Sequence, residues 1–176
     1  GNGRIVGIAL AVTDWSAYYP IAHEGGGNMD EKKVMDYFRN VLKSDARKIF
    51  HNAMYDVCFI RAAGLQIAGQ IVDTMIAGSL VDENRFRYDL GSMGRDYLGK
   101  GKNEAILAET AKEWGIDAKS EMYKLPAMYV GEYAEADAKL TWRLHERFIA
   151  EIEKNDLTTV YDVECRLIKV IYNMTK

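Results

Sequence analysis

Proline, cysteine and histidine are scarce in this sequence: two, two and three among 176 residues. The cysteines, Cys58 and Cys165, stand far apart and form no ligand spacing. Neither a disulfide framework nor a cysteine metal site is in view, and both read as reduced, buried thiols in a reducing compartment. His23 and His51 read as residues at strand ends, again without metal-ligand spacing. No repeat, low-complexity tract or linker interrupts the chain. Positive charge is not in surplus either. With 23 Lys and Arg against 26 Asp and Glu, the formal net charge is −3. A basic footprint over the whole surface is excluded, so any contact with nucleic acid must be local or run through metal ions. No stretch is long and apolar enough to span a bilayer, and none reads as a signal peptide.

What is there suits one α/β domain. A 48% hydrophobic and 11% aromatic composition is that of a chain with a sizeable core. The chain opens Gly1-Asn-Gly3 and enters an apolar run at once, as if cut from something longer. Ile5 to Val12 predicts a strand buried on both faces. Thr13-Asp-Trp-Ser16 breaks it and Ala17 to Ile21 resumes it, the pattern of a β-hairpin with Pro20 near its end. Asn28 and Glu31 resemble a capping box that starts a helix running to about Lys43. Arg47 to His51 predicts a short strand, Asn52 caps a helix from Met54 to Ala63, and Gly64 closes it. Gln70 to Asp73 predicts another strand, leading into Thr74 to Val81. Helices follow over Asp89 to Leu98 and, capped by Asn103, over Glu104 to Trp114. Beyond Pro126 a long helix runs from Ala127 to Lys154, and a last one from Leu157 to Met174. Strands early and helices dominant late give an α/β domain with a helical C-terminal part. The one expected boundary divides residues 1–155 from 156–176.

Acidic residues are the candidates for chemistry. Tyr133 and Asp137 are four apart, so a helix places them on one face. Glu135 falls on another face and reads as solvated. Asp56 sits in the first turn of a helix, where the helix dipole favours it, and Asn52 and Asp73 each suit a cap. These structural readings stand beside a functional one. Ends of neighbouring strands in an open α/β sheet converge on one edge, and a late helix carrying Tyr133 and Asp137 can lie across it. Carboxylates gathered there repel unless a hard cation neutralises them, and magnesium or manganese suits both oxygen ligands and phosphate substrates.

Asn52-Ala-Met-Tyr-Asp56 resembles the second exonuclease motif of family A DNA polymerases, and Tyr133-Ala-Glu-Ala-Asp137 the third. Between them Asp73-Thr-Met-Ile-Ala-Gly-Ser-Leu and Arg87-Tyr-Asp-Leu-Gly-Ser-Met93 are similar to the family's intervening segments. Trp114-Gly-Ile-Asp and Met122-Tyr-Lys-Leu-Pro126 resemble phage versions. The resemblance covers nearly the whole chain. It implies a ribonuclease H-like three-layer α/β domain with a mixed central sheet and helices on both faces. It implies a two-metal-ion 3′–5′ exonuclease, with Mg2+ or Mn2+ as cofactors, that proofreads at the single-stranded 3′ end of DNA. By position, Asp137 ligates the tighter metal and Asp56 serves the second, while Tyr133 holds the attacking water. Asn52 and Tyr55 contact the terminal nucleotides, Arg87 contacts the single strand, and Asp73 braces the site or binds metal. Lys100 and Lys102 touch phosphates or are simply solvated loop lysines. The expected partner is a polymerase domain of the same parent chain, with residues 156–176 leading toward it, in the cytoplasm of a bacterial or phage-infected cell.

One part of the pattern is not in the sequence. The family's first motif, an Asp-x-Glu pair on a central strand, falls before Gly1. Asp14 lies in the hairpin turn and Asp30-Glu31 begins a helix, so neither replaces it. The strands from Ile5 and from about Arg47 would lose a hydrogen-bonding partner, at roughly 1–3 kcal/mol for each buried group left unpaired. The expectation is a sequence that begins inside a longer domain, a second chain filling the gap, or a shifted arrangement of the strands. The alternative function is a catalytically inert nucleic-acid-binding or scaffolding module of the same fold.

Overall fold

A computed structural model describes residues 3–102 and 104–174. The chain opens on a hairpin, β1 (Gly7–Val12) and β2 (Trp15–Pro20), paired antiparallel with Val12 opposite Trp15. Its turn is therefore Thr13-Asp14 alone, and the second strand starts two residues before the expected Ala17. A two-residue loop is what the right-handed twist of paired strands prefers. β1 is less buried than its apolar run suggests: Ile8 alone is buried and Val12 is exposed. Gly7 is needed where it stands, because a Cβ there would fall 2.1 Å from the Tyr18 hydroxyl.

Helix α1 (Glu31–Lys43) buries Val34, Phe38 and Leu42 at helical spacing. Its cap is Asp30, whose Oδ1 accepts from the Lys33 backbone N–H at 2.8 Å. The expected Asn28 is spent elsewhere, accepting from the His23 N–H and donating to the His23 carbonyl. Strand β3 (Lys48–Phe50), helix α2 (Ala53–Ala62) and strand β4 (Ile71–Asp73) form a parallel βαβ unit, with Phe50 opposite Asp73. β4 is buried throughout and runs without a break into α3 (Thr74–Val81). Helix α4 (Leu90–Leu98) is capped by Asp89 and closed by Gly99 at φ +66°. α5 (Ala105–Glu113), the 28-residue α6 (Ala127–Lys154) and α7 (Thr158–Met174) complete the chain. The expected cap at Asn103 lies outside the described residues.

The strands described form two pairs, β1–β2 antiparallel and β3–β4 parallel. The chain packs as two units, Gly1–Phe38 with Lys102–Lys139, and Arg39–Gly101 with Leu140–Lys176. The first is cored by Leu107, Leu125 and Val130, with Tyr18 and Tyr133 packed on them. The second is cored by residues including Val72, Met93, Leu144, Phe148 and Cys165. There α7 packs on β4, α2 and α3. Cys165 is buried as expected, whereas Cys58 is exposed on α2. Among the described residues no helix is long and apolar enough to cross a membrane.

Candidate functional site

In the first unit the site is built on α6. Tyr133 and Asp137, one turn apart, point at a single group, the Lys102 ammonium. Lys102 Nζ donates to Asp137 Oδ2 at 2.7 Å and to the Tyr133 hydroxyl at 3.0 Å. It also lies 5.2 Å from the centroid of the Tyr133 ring, within cation–π range. Burial raises the Asp137 pKa, and the lysine beside it opposes that rise without cancelling it. Burial likewise raises the Tyr133 phenol, against the pull of Lys102. Burial alone would lower Lys102, but the hydrogen bond from its ammonium to Asp137 leads the contributions that leave its pKa above the usual lysine value. Lys102 is thus not a simply solvated loop lysine, whereas Lys100 is exposed. Glu135 is not solvated either: it accepts from the Ser16 hydroxyl of β2 at 2.8 Å.

In the second unit the sequence-predicted residues gather at the junction of β3, α2 and β4. Asp56 occupies the first turn of α2, and its pKa is pushed up to about 6 by burial and by the nearby Asp73 charge. Asp73 is buried, and its two oxygens accept three backbone N–H groups: Asn52 at 3.0 Å, Ala53 at 2.8 Å and Met75 at 2.8 Å. It caps α3 and ties down the start of α2 at once. Asn52 therefore does not cap α2 with its side chain. It takes a left-handed conformation, φ 62° and ψ 57°, which asparagine tolerates better than most residues. The Tyr161 hydroxyl adds a bond to the Asp73 carbonyl at 3.3 Å. Tyr55 is 64% exposed and packs at a tilt against Phe59, 5.0 Å between centroids, presenting aromatic surface beside Asp56. Arg87 is exposed in the α3–α4 loop, next to a fully exposed Phe86.

The donor set suits a hard divalent cation. Taken unit by unit, Asp56 in the second and Asp137 in the first each present carboxylate oxygens, the donors such cations take, and one Asp137 oxygen already accepts from Lys102. Among the described residues no group of three or more His, Cys, Asp or Glu side chains is brought together. The part of the site that sequence reasoning missed is Lys102 as a partner of Asp137. The two are joined across unrelated loops and helices, so no periodicity announces the pair.

This α/β fold is shared with a nuclease of solved structure. A solved structure described as the apo form of a nuclease superposes with a TM-score of 0.70 at 18% identity, covering 94% of this chain and 72% of that one. The likeness is one of fold. A profile of the 3′–5′ exonuclease family of A-type DNA polymerases matches residues 2–153, and the chain belongs to that family. A DNA-directed DNA polymerase of Pseudomonas phage M6 is 34% identical over 99% of this chain and 27% of its own length. DNA polymerase DpoZ of Acinetobacter phage SH-Ab 15497 is 32% identical over 98% of this chain and 28% of its own. DNA polymerase I of Pseudomonas aeruginosa is 28% identical over 97% of this chain and 19% of its own. The chain is a 3′–5′ exonuclease domain of the DNA polymerase I type, spanning about a quarter or less of these relatives.

Proposed function

We propose that this domain is a two-metal-ion exonuclease that removes nucleoside monophosphates from DNA 3′ ends as the proofreading part of a polymerase. The observation that carries the reading is the Tyr133–Asp137 pair, a phenol and a half-buried carboxylate on one helix turn, both turned to a single positive charge. Asp137 and Asp56 would hold the cations. When bound, divalent cations supply Lewis-acid activation of water and neutralise charge on the leaving oxygen. Tyr133 orients the attacking water through its hydroxyl. Asn52 and Tyr55 contact the terminal nucleotides, with the exposed Tyr55 ring, backed by Phe59, offering a sequence-tolerant surface for a base. Arg87 contacts the single strand. Asp73, with its oxygens engaged by backbone N–H groups, holds Asn52 and the start of α2 in place.

The partner in this reading is the polymerase domain of the same parent chain, in a bacterial or phage-infected cytoplasm. The outer face of α7 supports it: Val160, Val163, Leu167, Val170 and Met174 recur at intervals of three and four and are all exposed. Such a stripe is suited to burial against further protein. The test is mononucleotide release from labelled single-stranded DNA with Mn2+, run on this chain and on a form extended upstream through the Asp-x-Glu motif. Stepwise 3′ release by the extended form, lost with chelator, is expected. Tight DNA binding without cleavage by either form means an inert binding module instead.

A further inference from the structure

The Lys102–Asp137 contact is more enclosed than Arg4–Glu31, Arg85–Asp96, Lys124–Glu121, Arg147–Glu151 and Arg166–Asp162, each of which has at least one side chain more than a third exposed. Arg147–Glu151 and Arg166–Asp162 are local pairs on one helix, and Arg4–Glu31 is exposed on both sides. Lys102 and Asp137 are distant in sequence, each side chain is only about a quarter exposed (23% and 24%), and the ammonium bonds a second acceptor, Tyr133. Lysine is a point charge on a flexible stem, so its ammonium can leave a carboxylate without moving the backbone. A divalent cation on the same carboxylate meets that ammonium as a like charge. One of the two has to yield.

We propose that Lys102 is a resident counter-ion of Asp137, holding that carboxylate and the Tyr133 hydroxyl until a divalent cation displaces it. The inference rests on Asp137 being a metal ligand, as in the function proposed above. Lys102 is a positioning residue: it keeps two groups aligned and sets the concentration of cation needed to occupy the site.

The experiment is a Mn2+ titration of the whole chain, followed by the electron paramagnetic resonance signal of free Mn2+. Lys102→Met is expected to bind Mn2+ at least tenfold more tightly than wild type, and Lys102→Gln to show the same gain. Lys102→Arg keeps the charge and is expected to keep the wild-type affinity. The gain is expected to vanish when Asp137→Asn is added to Lys102→Met. Equal or weaker affinity in both charge-free variants, or no binding by either, overturns the proposal. So does a gain that survives Asp137→Asn. Circular dichroism identifies any variant that fails to fold, leaving the other charge-free variant to decide. Cleavage assays separate this from the exonuclease reading. A gain in affinity without 3′ release by the extended form leaves the counter-ion and removes the enzyme. Release without a gain does the reverse.

Discussion

Asp73 and Asp137 are both withdrawn from bulk water, yet they are satisfied in opposite ways. Asp73, at the β4–α3 junction, receives three backbone N–H groups that belong to two helices. Asp137, in the middle of α6, receives the tip of a lysine. Backbone donors cannot be withdrawn without unravelling the helix starts they belong to. A side-chain cation can be exchanged for another cation at little structural cost. The first arrangement builds a frame, and in the function proposed above the second keeps a charge available for chemistry.

The contrast predicts that the two aspartates fail differently. In the metal-loaded polymerase, Asp137→Ala is expected to cut 3′ cleavage by roughly a thousandfold, about 4 kcal/mol of transition-state stabilisation from a lost metal ligand. Its folding stability should move by no more than about 1 kcal/mol, as for a partly exposed ion pair. Cleavage at a near-normal rate would remove Asp137 from the metal site. Asp73→Ala is expected to cost roughly 3 kcal/mol of stability in urea denaturation, from orphaned buried N–H groups and a lost cap. Asp73→Asn, which keeps one acceptor oxygen, should cost less. Equal stability losses at positions 73 and 137 would dissolve the distinction.

The frame was more legible in the sequence than the exchangeable charge. Helix α6 runs from Ala127 to Lys154 as its apolar spacing implies, and Gly99 closes α4 as its position implies. Both are local signals, set by periodicity and by a residue that accepts positive φ. Caps were harder. Asn28 and Asn52 each stand where a cap belongs, but the Asn28 amide is engaged by the backbone of His23, five residues away, and Asn52 takes a left-handed conformation with its backbone N–H held by Asp73. The short strands β3 and β4 were found because each ends at a helix start. The Tyr133–Asp137 spacing was visible because one helix turn joins the pair. Lys102 was not, since its partnership depends on how the loop before α5 returns to α6, which no short-range pattern encodes.

A smaller effect is expected at Tyr133. Its hydroxyl shares Lys102 with Asp137, but it supplies no charge. Tyr133→Phe in the metal-loaded polymerase should slow cleavage about tenfold, the equivalent of one hydrogen bond at about 1.4 kcal/mol. A loss as large as that of Asp137→Ala, measured under single-turnover conditions, would give the phenol a part in the chemistry rather than in orienting water.

The smallest expected effect extends the comparison to an imidazole. His23 is buried and held by fixed partners, with Nδ1 2.9 Å from the Leu125 carbonyl and Nε2 2.6 Å from the Tyr18 hydroxyl. A carbonyl only accepts, so Nδ1 carries the proton and Nε2 accepts from Tyr18. Protonating Nε2 would require the Tyr18 hydroxyl to turn from donor to acceptor. Burial lowers the His23 pKa, and the Leu125 carbonyl opposes this without reversing it. The unfolded chain then binds the proton more readily, so stability from His23 is present above an unfolded pKa of about 6.5 and is lost as pH falls below it. His145, lowered first by burial and then by the Arg47 charge, acts in the same direction, whereas Asp56, raised by burial, acts in the opposite one. The difference between wild type and His23→Asn isolates the imidazole. Urea midpoints at pH 5 and pH 7.5 should fall less steeply with acid in the variant. Equal slopes would mean that His23 accepts its proton without losing the Tyr18 bond, and so is not part of the fixed frame.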